Sequence, residues 1–484
     1  MPASNLLFVI ADQFRAMCLE PGGDPVSTPF LDGLAADGVS LAHAVSNYPV
    51  CSPHRAMMMS GQYPVSNGVT HNVNSETAQW GVGLRPGSPS WAAVLRDAGY
   101  ATGYIGKWHL EAPVPEDAIH GTGVLADGRY WDAYSPRDRR HGFDFWYSYG
   151  CCDEHLSPHY WTSDAERHQR LNVTGWSAAH ETDVAVKFLH GAAGPAHGGT
   201  PFALALSWNP PHQPFDQLPP DHERGYGGLA PESLLNRPNV NLKSDAGREA
   251  AAIAPLYYAA VSAIDAQLGR LLKTLDSLDL ARNTLVIFTS DHGQQMGSHE
   301  LLYKNVPYEE SMRIPFVMRW PERLDASAAA TVGLSSVDIA PTLLGLLGFS
   351  SKVPATMQGR DVSGALLAAE PGSAKTHDGD LPQGQPGASG SGAPSALYFY
   401  YPRDVRDIDV RGLRTATGKF IARFHPDEGL STSLFNLVED PFELHNIADP
   451  DQLSRWSGEL LAALKTAGQS WIGENTLAKL VHPA

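Results

Sequence analysis

Strand-length apolar runs separated by helix-like segments predict an α/β fold: a large mixed, mostly parallel sheet flanked by helices, with a smaller C-terminal antiparallel sheet subdomain. Three observations carry this. Apolar runs recur at 5–11, 202–207 and 284–290, and their continuity suits parallel strands buried on both faces. Helix start and stop signals lie between them. A stretch rich in Gly, Pro and Ser then divides the chain, and short strand-like segments follow it in quick succession.

Taken in order, residues 5–11 (NLLFVIA) form the first strand and end on Asp12. Ser27-Thr28-Pro29 supplies an N-cap with Pro in the first turn, starting a helix that ends near Gly38. A helix over 91–97 is stopped by Gly99, and a strand over 100–105 follows. Further strands are expected at 202–207, 284–290 and 315–319, with a long helix over 249–278 before the second of these. Residues 371–395 (PGSAKTHDGDLPQGQPGASGSGAPS) have almost nothing to bury and read as a flexible connection. The expected organisation is therefore a catalytic α/β domain over 1–370, that connection, and a subdomain over 396–484. The subdomain should hold short strands at 397–401, 412–415, 419–424 and 433–437, and a helix over 452–467.

The 484 residues, 43% hydrophobic and 18% charged, can bury a substantial core. A formal net charge of −17 argues against nucleic acid and anionic membrane surfaces as partners. No apolar run reaches the ~18 residues of a membrane helix. The N-terminus enters a strand without a basic, apolar leader, so a cytoplasmic location is the expectation. Four cysteines are too few for a disulfide framework, and the sequon at Asn172 has little meaning in an unexported chain.

Several residues carry chemistry. Asp12 closes the first strand and Asp291-His292 closes the strand at 284–290, and such strand ends are where ligands collect in open α/β sheets. Two carboxylates and an imidazole suit a divalent cation, Ca²⁺ or Mn²⁺. Cys51-Ser52-Pro53-His54-Arg55 with Ser60-Gly61 fits C-x-P-x-R-x-x-x-x-[ST]-G. Gly106-Lys107-Trp108-His109 follows one strand, and Asn209-Pro210-Pro211-His212-Gln213-Pro214-Phe215 follows another. Lys304 lies in the segment SDHGQQMGSHELLYKNVPYEESMRIPFVMRWP (290–321). Singly, Lys107 or Lys304 reads as a solvated lysine and His109 or His212 as a loop histidine. Five motifs in one order do not.

In that order the chain resembles the type I, formylglycine-dependent sulfatases of the alkaline phosphatase superfamily, from Asn5 to about Asp449, ending with LFNLVEDPFELHNIAD. The resemblance implies a sulfuric ester hydrolase. Its nucleophile is a hydrated formylglycine made from Cys51 by a formylglycine-generating enzyme, its maturation partner. The implied catalytic set is Cys51, Arg55, Lys107, His109, His212, Asp291 and Lys304. The implied metal set is Asp12, Gln13, Cys51, Asp291 and His292. Asp291 would deprotonate the attacking hydroxyl, and Lys304, aided by His212, would protonate the leaving alcohol. His109 would take the proton from the second hydroxyl, expelling sulfate, while Arg55 and Lys107 fix the formylglycine. The substrate would be a small-molecule or carbohydrate sulfate ester: sugar, aryl or small alkyl such as choline sulfate.

Two positions depart from the common pattern. Gln13 stands where many sulfatases have a second Asp, and His292 where many have Asn. Both choices occur in phosphonate monoester hydrolases and choline-sulfatase-like enzymes, which makes phosphodiester or phosphonate hydrolysis the competing reading. A non-catalytic binding protein on this fold is the remote one. The ten aromatic residues between Tyr130 and Trp161 are expected mainly to pack a core, with a few free to line the pocket mouth.

Overall fold

The computed structural model describes residues 4–19, 23–120, 124, 128–194, 199–219, 222, 225–330, 332–368, 396–400 and 409–481. Its main sheet has nine strands: β1 (Asn5–Ala11), β2 (Val39–Ser40), β4 (Ala101–Lys107), β5 (Phe145–Tyr149), β6 (His159–Thr162), β7 (Leu171–Asn172), β8 (Phe202–Trp208), β9 (Thr284–Thr289) and β10 (Phe316–Arg319). Their order is β2-β10-β9-β1-β8-β4-β5-β6-β7. The five central strands, β9 to β5, are parallel, and the edges turn antiparallel. A small sheet pairs β3 (His43–Val45) with β11 (Gly333–Ser335). The expected α/β class holds.

The central strands have no polar face because both faces are covered. Along β1, Leu7, Val9 and Ala11 join one core, and Leu6, Phe8 and Ile10 join the other. The period of two distributes one apolar run between two layers of helices. Helices Pro29–Ala36, Ser177–Ala193 and Asp245–Ser277 cover the first face. Helices Cys51–Ser60, Trp91–Asp97 and Ile339–Leu346 cover the second. The aromatic stretch behaves as expected: Phe143, Trp146, Tyr149, Tyr160 and Trp161 are buried.

Thr28 does not cap its helix. Its hydroxyl turns to Asp32, and no side-chain cap forms. Asp265, from the long helix, accepts instead from Phe30 N (3.2 Å) and Leu31 N (2.7 Å). Asp265→Ala should therefore lower the urea midpoint by the equivalent of ~1–2 kcal/mol, as the loss of a strong N-cap does. An unchanged midpoint would mean that this helix does not need the cap.

Beyond residue 395, β12 (Ala396–Tyr400), β13 (Asp409–Arg414), β14 (Gly418–His425) and β15 (Gly429–Asn436) form an antiparallel sheet in sequence order. Helix Pro450–Thr466 packs on it, and a helix the sequence had not indicated, Glu474–Val481, inserts Leu477 into the same core. That core also takes in Val50 and Met57, beside Cys51. The expected connection at 371–395 lies outside the described residues.

Candidate active site

Four neighbouring parallel strands, in the order β9-β1-β8-β4, end on one edge of the sheet, and their ends and the loops leaving them carry Asp291-His292, Asp12-Gln13, Asn209 to His212, and Lys107, the last residue of β4, to His109. Two glycines fit these loops tightly. A Cβ on Gly106 would sit 2.1 Å from Ser207 O, and one on Gly293 would sit 2.0 Å from Glu310 O. Gln13 and His109 themselves hold positive φ (64° and 56°), a conformation kept for reasons other than local comfort.

Cys51 begins helix Cys51–Ser60, every residue of which is buried. Its Sγ lies 3.2 Å from His292 Nε2 and 3.9 Å from Asp12 Oδ1. Asp12, Cys51, Asp291 and His292 offer ligand atoms that all lie within 4.8 Å of one another, and all four residues are buried. His292 Nδ1 sits 2.9 Å from Gly293 O, so the ring donates there and its Nε2 lone pair faces the cluster. The Gln13 amide turns Oε1 to Lys304 (2.8 Å), while its backbone N donates to Asp291 Oδ1 (3.1 Å).

The cations converge on this acidic centre. Arg55 Nε meets Asp291 Oδ2 at 2.9 Å and Arg55 Nη2 meets Asp12 Oδ2 at 3.2 Å. Its Nη1 donates to Lys107 O (2.9 Å) and Ser207 Oγ (2.7 Å), so the guanidinium is held on every side. Lys107 Nζ lies 2.7 Å from Asp12 Oδ2 and donates to Asn209 Oδ1 (3.0 Å). Lys304 Nζ lies 2.7 Å from His212 Nε2. His109 Nε2 donates to Val73 O (3.0 Å), which leaves its buried Nδ1 on the side of Cys51.

Electrostatics follow from this packing. Burial works to raise Asp12, but Lys107, His212, Arg55 and His292 outweigh it and hold Asp12 well below the usual carboxylate range. Burial and the neighbouring Asp12 push Asp291 the other way, upward. Burial and Asp12 also work to raise Cys51, yet Lys304, Lys107 and His292 bring the thiol well below its ordinary value. Burial lowers His109, with Cys51 opposing. The site is a cation-rich pocket around two unequal carboxylates.

Every residue expected from the sequence reaches this pocket. Two residues in contact with this set were not among the expected site residues: Asn209, read only as part of its motif, and Asp153. Asn209 supports Lys107, and Asp153 lies 3.5 Å from His212 Nδ1. Asp153 comes just after β5, so the strand-end argument applied to β1 and β9 was its available signal.

A second group, His299, Glu310 and Glu443, also has closely spaced ligand atoms. Its carboxylates are already paired: Glu310 with Arg237 (2.9 Å) and Glu443 with Lys419 (2.8 Å). No described helix is long and apolar enough to cross a membrane.

The Sulfatase family model matches residues 4–349. An endo-4-O-sulfatase of Bacteroides thetaiotaomicron is 33% identical, covering 98% of this chain and 94% of its own length. An ulvan-active sulfatase of Formosa agariphila is 31% identical over 95% of this chain and 80% of its own. The crystal structure of the sulfatase YidJ from Bacteroides fragilis superposes with a TM-score of 0.87 at 35% identity, covering 99% of this chain and 98% of that one.

Proposed function

The chain belongs to the sulfatase family and is an enzyme that hydrolyses sulfate esters, and from that premise we propose that it cleaves carbohydrate sulfate monoesters with a formylglycine made from Cys51. The observation that carries this reading is the position of Cys51. It starts a buried helix, faces His292 and Asp12, and feels Lys304 and Lys107. The relatives named for endo-4-O-sulfate and ulvan support a sugar over an aryl or choline ester. Conversion of the thiol requires a formylglycine-generating enzyme as partner.

One divalent ion, Ca²⁺ first and Mn²⁺ second, fits Asp12, Asp291, His292 and residue 51, with Gln13 the further expected ligand although its Oε1 accepts from Lys304. Two carboxylates and an imidazole lone pair converge, and the crowding that pushes Asp291 up is what a cation relieves. When bound, the ion supplies Lewis-acid polarisation of a sulfuryl oxygen and of the nucleophile. A single ion is expected because the second group is already neutralised by Arg237 and Lys419.

The chain's own residues divide the remaining work. Asp291 accepts the proton of the attacking hydroxyl. Arg55 and Lys107 hold formylglycine and meet the charge spread over sulfuryl oxygens. His109, whose Nε2 is used by Val73 O and which also interacts with Cys51, takes the proton whose loss expels sulfate. Lys304 has one proton directed to Gln13 Oε1 and one to His212 Nε2, which leaves a third for the departing oxygen.

Gln13 and His292 favour a second reading, hydrolysis of phosphodiesters or phosphonates. Sulfate monoesters and phosphodiesters each carry one negative charge, so shape decides. A diester's second arm needs room beside the attacked atom, where Lys107, His109, His212 and Lys304 converge. The test is a panel of sugar, aryl and choline sulfates beside phosphodiesters and phosphonates, on protein with Cys51 conversion verified. Sulfated saccharides should give the highest kcat/KM. Better turnover of diesters or phosphonates would replace this reading with the second.

A further inference from the structure

We propose that Asp153 is a positioning residue for the leaving-group end of the site, acting through His212 on Lys304. Asp153 follows β5, a strand outside the four whose ends carry Asp12, Lys107, His212 and Asp291. Its Oδ1 lies 3.5 Å from His212 Nδ1, and the far side of that ring, Nε2, meets Lys304 Nζ at 2.7 Å. The same Oδ1 accepts from Asn209 Nδ2 (3.1 Å), whose Oδ1 accepts from Lys107 Nζ (3.0 Å). One carboxylate oxygen therefore stands a single side chain away from each of the two lysines.

The two branches are not equally dependent on it. Asn209 Nδ2 also donates to Cys152 O (3.0 Å), and Asn209 is fully buried, so Lys107 keeps its support without Asp153. His212 is different. Its Nδ1 has Gln213 O at 2.8 Å, an acceptor from the residue next in the chain, and among the described residues Asp153 is the anchor for that nitrogen from another element. Asp153 is also 41% exposed at its side chain, whereas Asp12 and Asp291 are wholly buried, which places it at the rim. A negative charge there holds Nδ1 as a donor and Nε2 as an acceptor, the arrangement that lets the ring take one ammonium proton of Lys304 and aim the others. The logic is that of a carboxylate orienting a histidine that in turn orients the reacting group.

This inference rests on the reading above that Lys304 protonates the leaving alcohol, and the experiment separates the two. Enzyme with verified Cys51 conversion is assayed on a sugar sulfate, whose alkoxide leaves poorly, and on an activated aryl sulfate, whose phenolate needs no proton. Lys304→Ala tests the reading: it should harm the sugar sulfate far more than the aryl ester, and equal losses would overturn the role of Lys304. Asp153→Asn tests the inference. It should lower kcat on the sugar sulfate by ~10–100-fold, the usual cost of losing an orienting partner. KM should stay within about twofold and aryl-ester turnover within about threefold, as expected of an interaction felt only in the transition state. Asp153→Glu should recover part of the sugar-sulfate rate. Aryl-ester turnover reports that each variant is folded, and if Asp153→Asn gives no soluble enzyme, Asp153→Ser carries the same expectation. Equal losses on both substrates, or no loss on either, would overturn the positioning role even with the Lys304 result as expected.

Discussion

Cys51→Ala is expected to abolish sulfate-ester turnover and leave the fold standing. Alanine is the strongest helix former, and Cys51 is the first residue of helix Cys51–Ser60, so the backbone loses nothing. The side chain removed is small, and the helix stays fixed by Arg55, Met57, Met58 and Met59, all buried. A stability change of about 1 kcal/mol is the size expected. Chemistry has no such reserve, because no other described thiol can take over: Cys18, Cys151 and Cys152 are buried, Cys18 lies against Asp24, and burial raises the other two. Removal of a nucleophile costs on the order of 10⁶ in kcat where this has been dissected. The check is kcat for wild type and variant, each made alongside the formylglycine-generating enzyme, with mass spectrometry of the Cys51 peptide showing thiol converted to aldehyde. Full activity in the variant would end the formylglycine reading.

The central strands were legible because burial on both faces writes itself as continuous apolar sequence. β1 matches its expected span, and β8 and β9 differ from theirs by one residue at the C-terminal end. Helix Trp91–Asp97 also matched, since Ser90 caps it through Ala92 N. The edges were not legible. β2 and β7 have two residues each, too few to show any period, and β5 and β6 lie in an aromatic stretch with no alternation to read. The long helix begins at Asp245 rather than Glu249 because Ser244 caps it through Gly247 N, a signal the apolar pattern alone passes over.

Site residues were legible where chemistry is bound to a local motif, and not where it is made by contact across the chain. Asp265 caps a helix 235 residues away. Asp153 reaches Asn209 across 56 residues, and a position after a strand end marks each of them without showing that they meet. Gln13 was read as a metal ligand only, yet its amide oxygen also accepts from Lys304, 291 residues away. Local sequence names the reacting groups, while the supports that orient them become visible only once the strands are laid side by side.

Chelation should remove activity as completely as loss of Cys51, and reversibly. Asp12 and Asp291 are fully buried carboxylates near the same histidine, one held low by cations and the other pushed up by burial and its neighbour. Arg55 and Lys107 are not enough to satisfy both, so a divalent ion should bind strongly and stabilise the fold. At a hundred times its dissociation constant the gain is ~2.7 kcal/mol, visible as a higher Tm on adding Ca²⁺ or Mn²⁺ to stripped protein. Whichever ion restores both Tm and turnover at the lower concentration is the resident one. Asp291→Asn keeps the size of the side chain and can still accept from Gln13 N, so it should spare the fold better than alanine. It removes the ligand charge and the base together, so turnover should fall by at least about 10³-fold, where loss of a general base alone costs about 10²–10⁴-fold. Metal analysis should find one ion per chain in wild type and less in the variant. Two ions per chain would overturn the single-ion expectation, and full turnover after exhaustive chelation would remove the metal from the chemistry of this site.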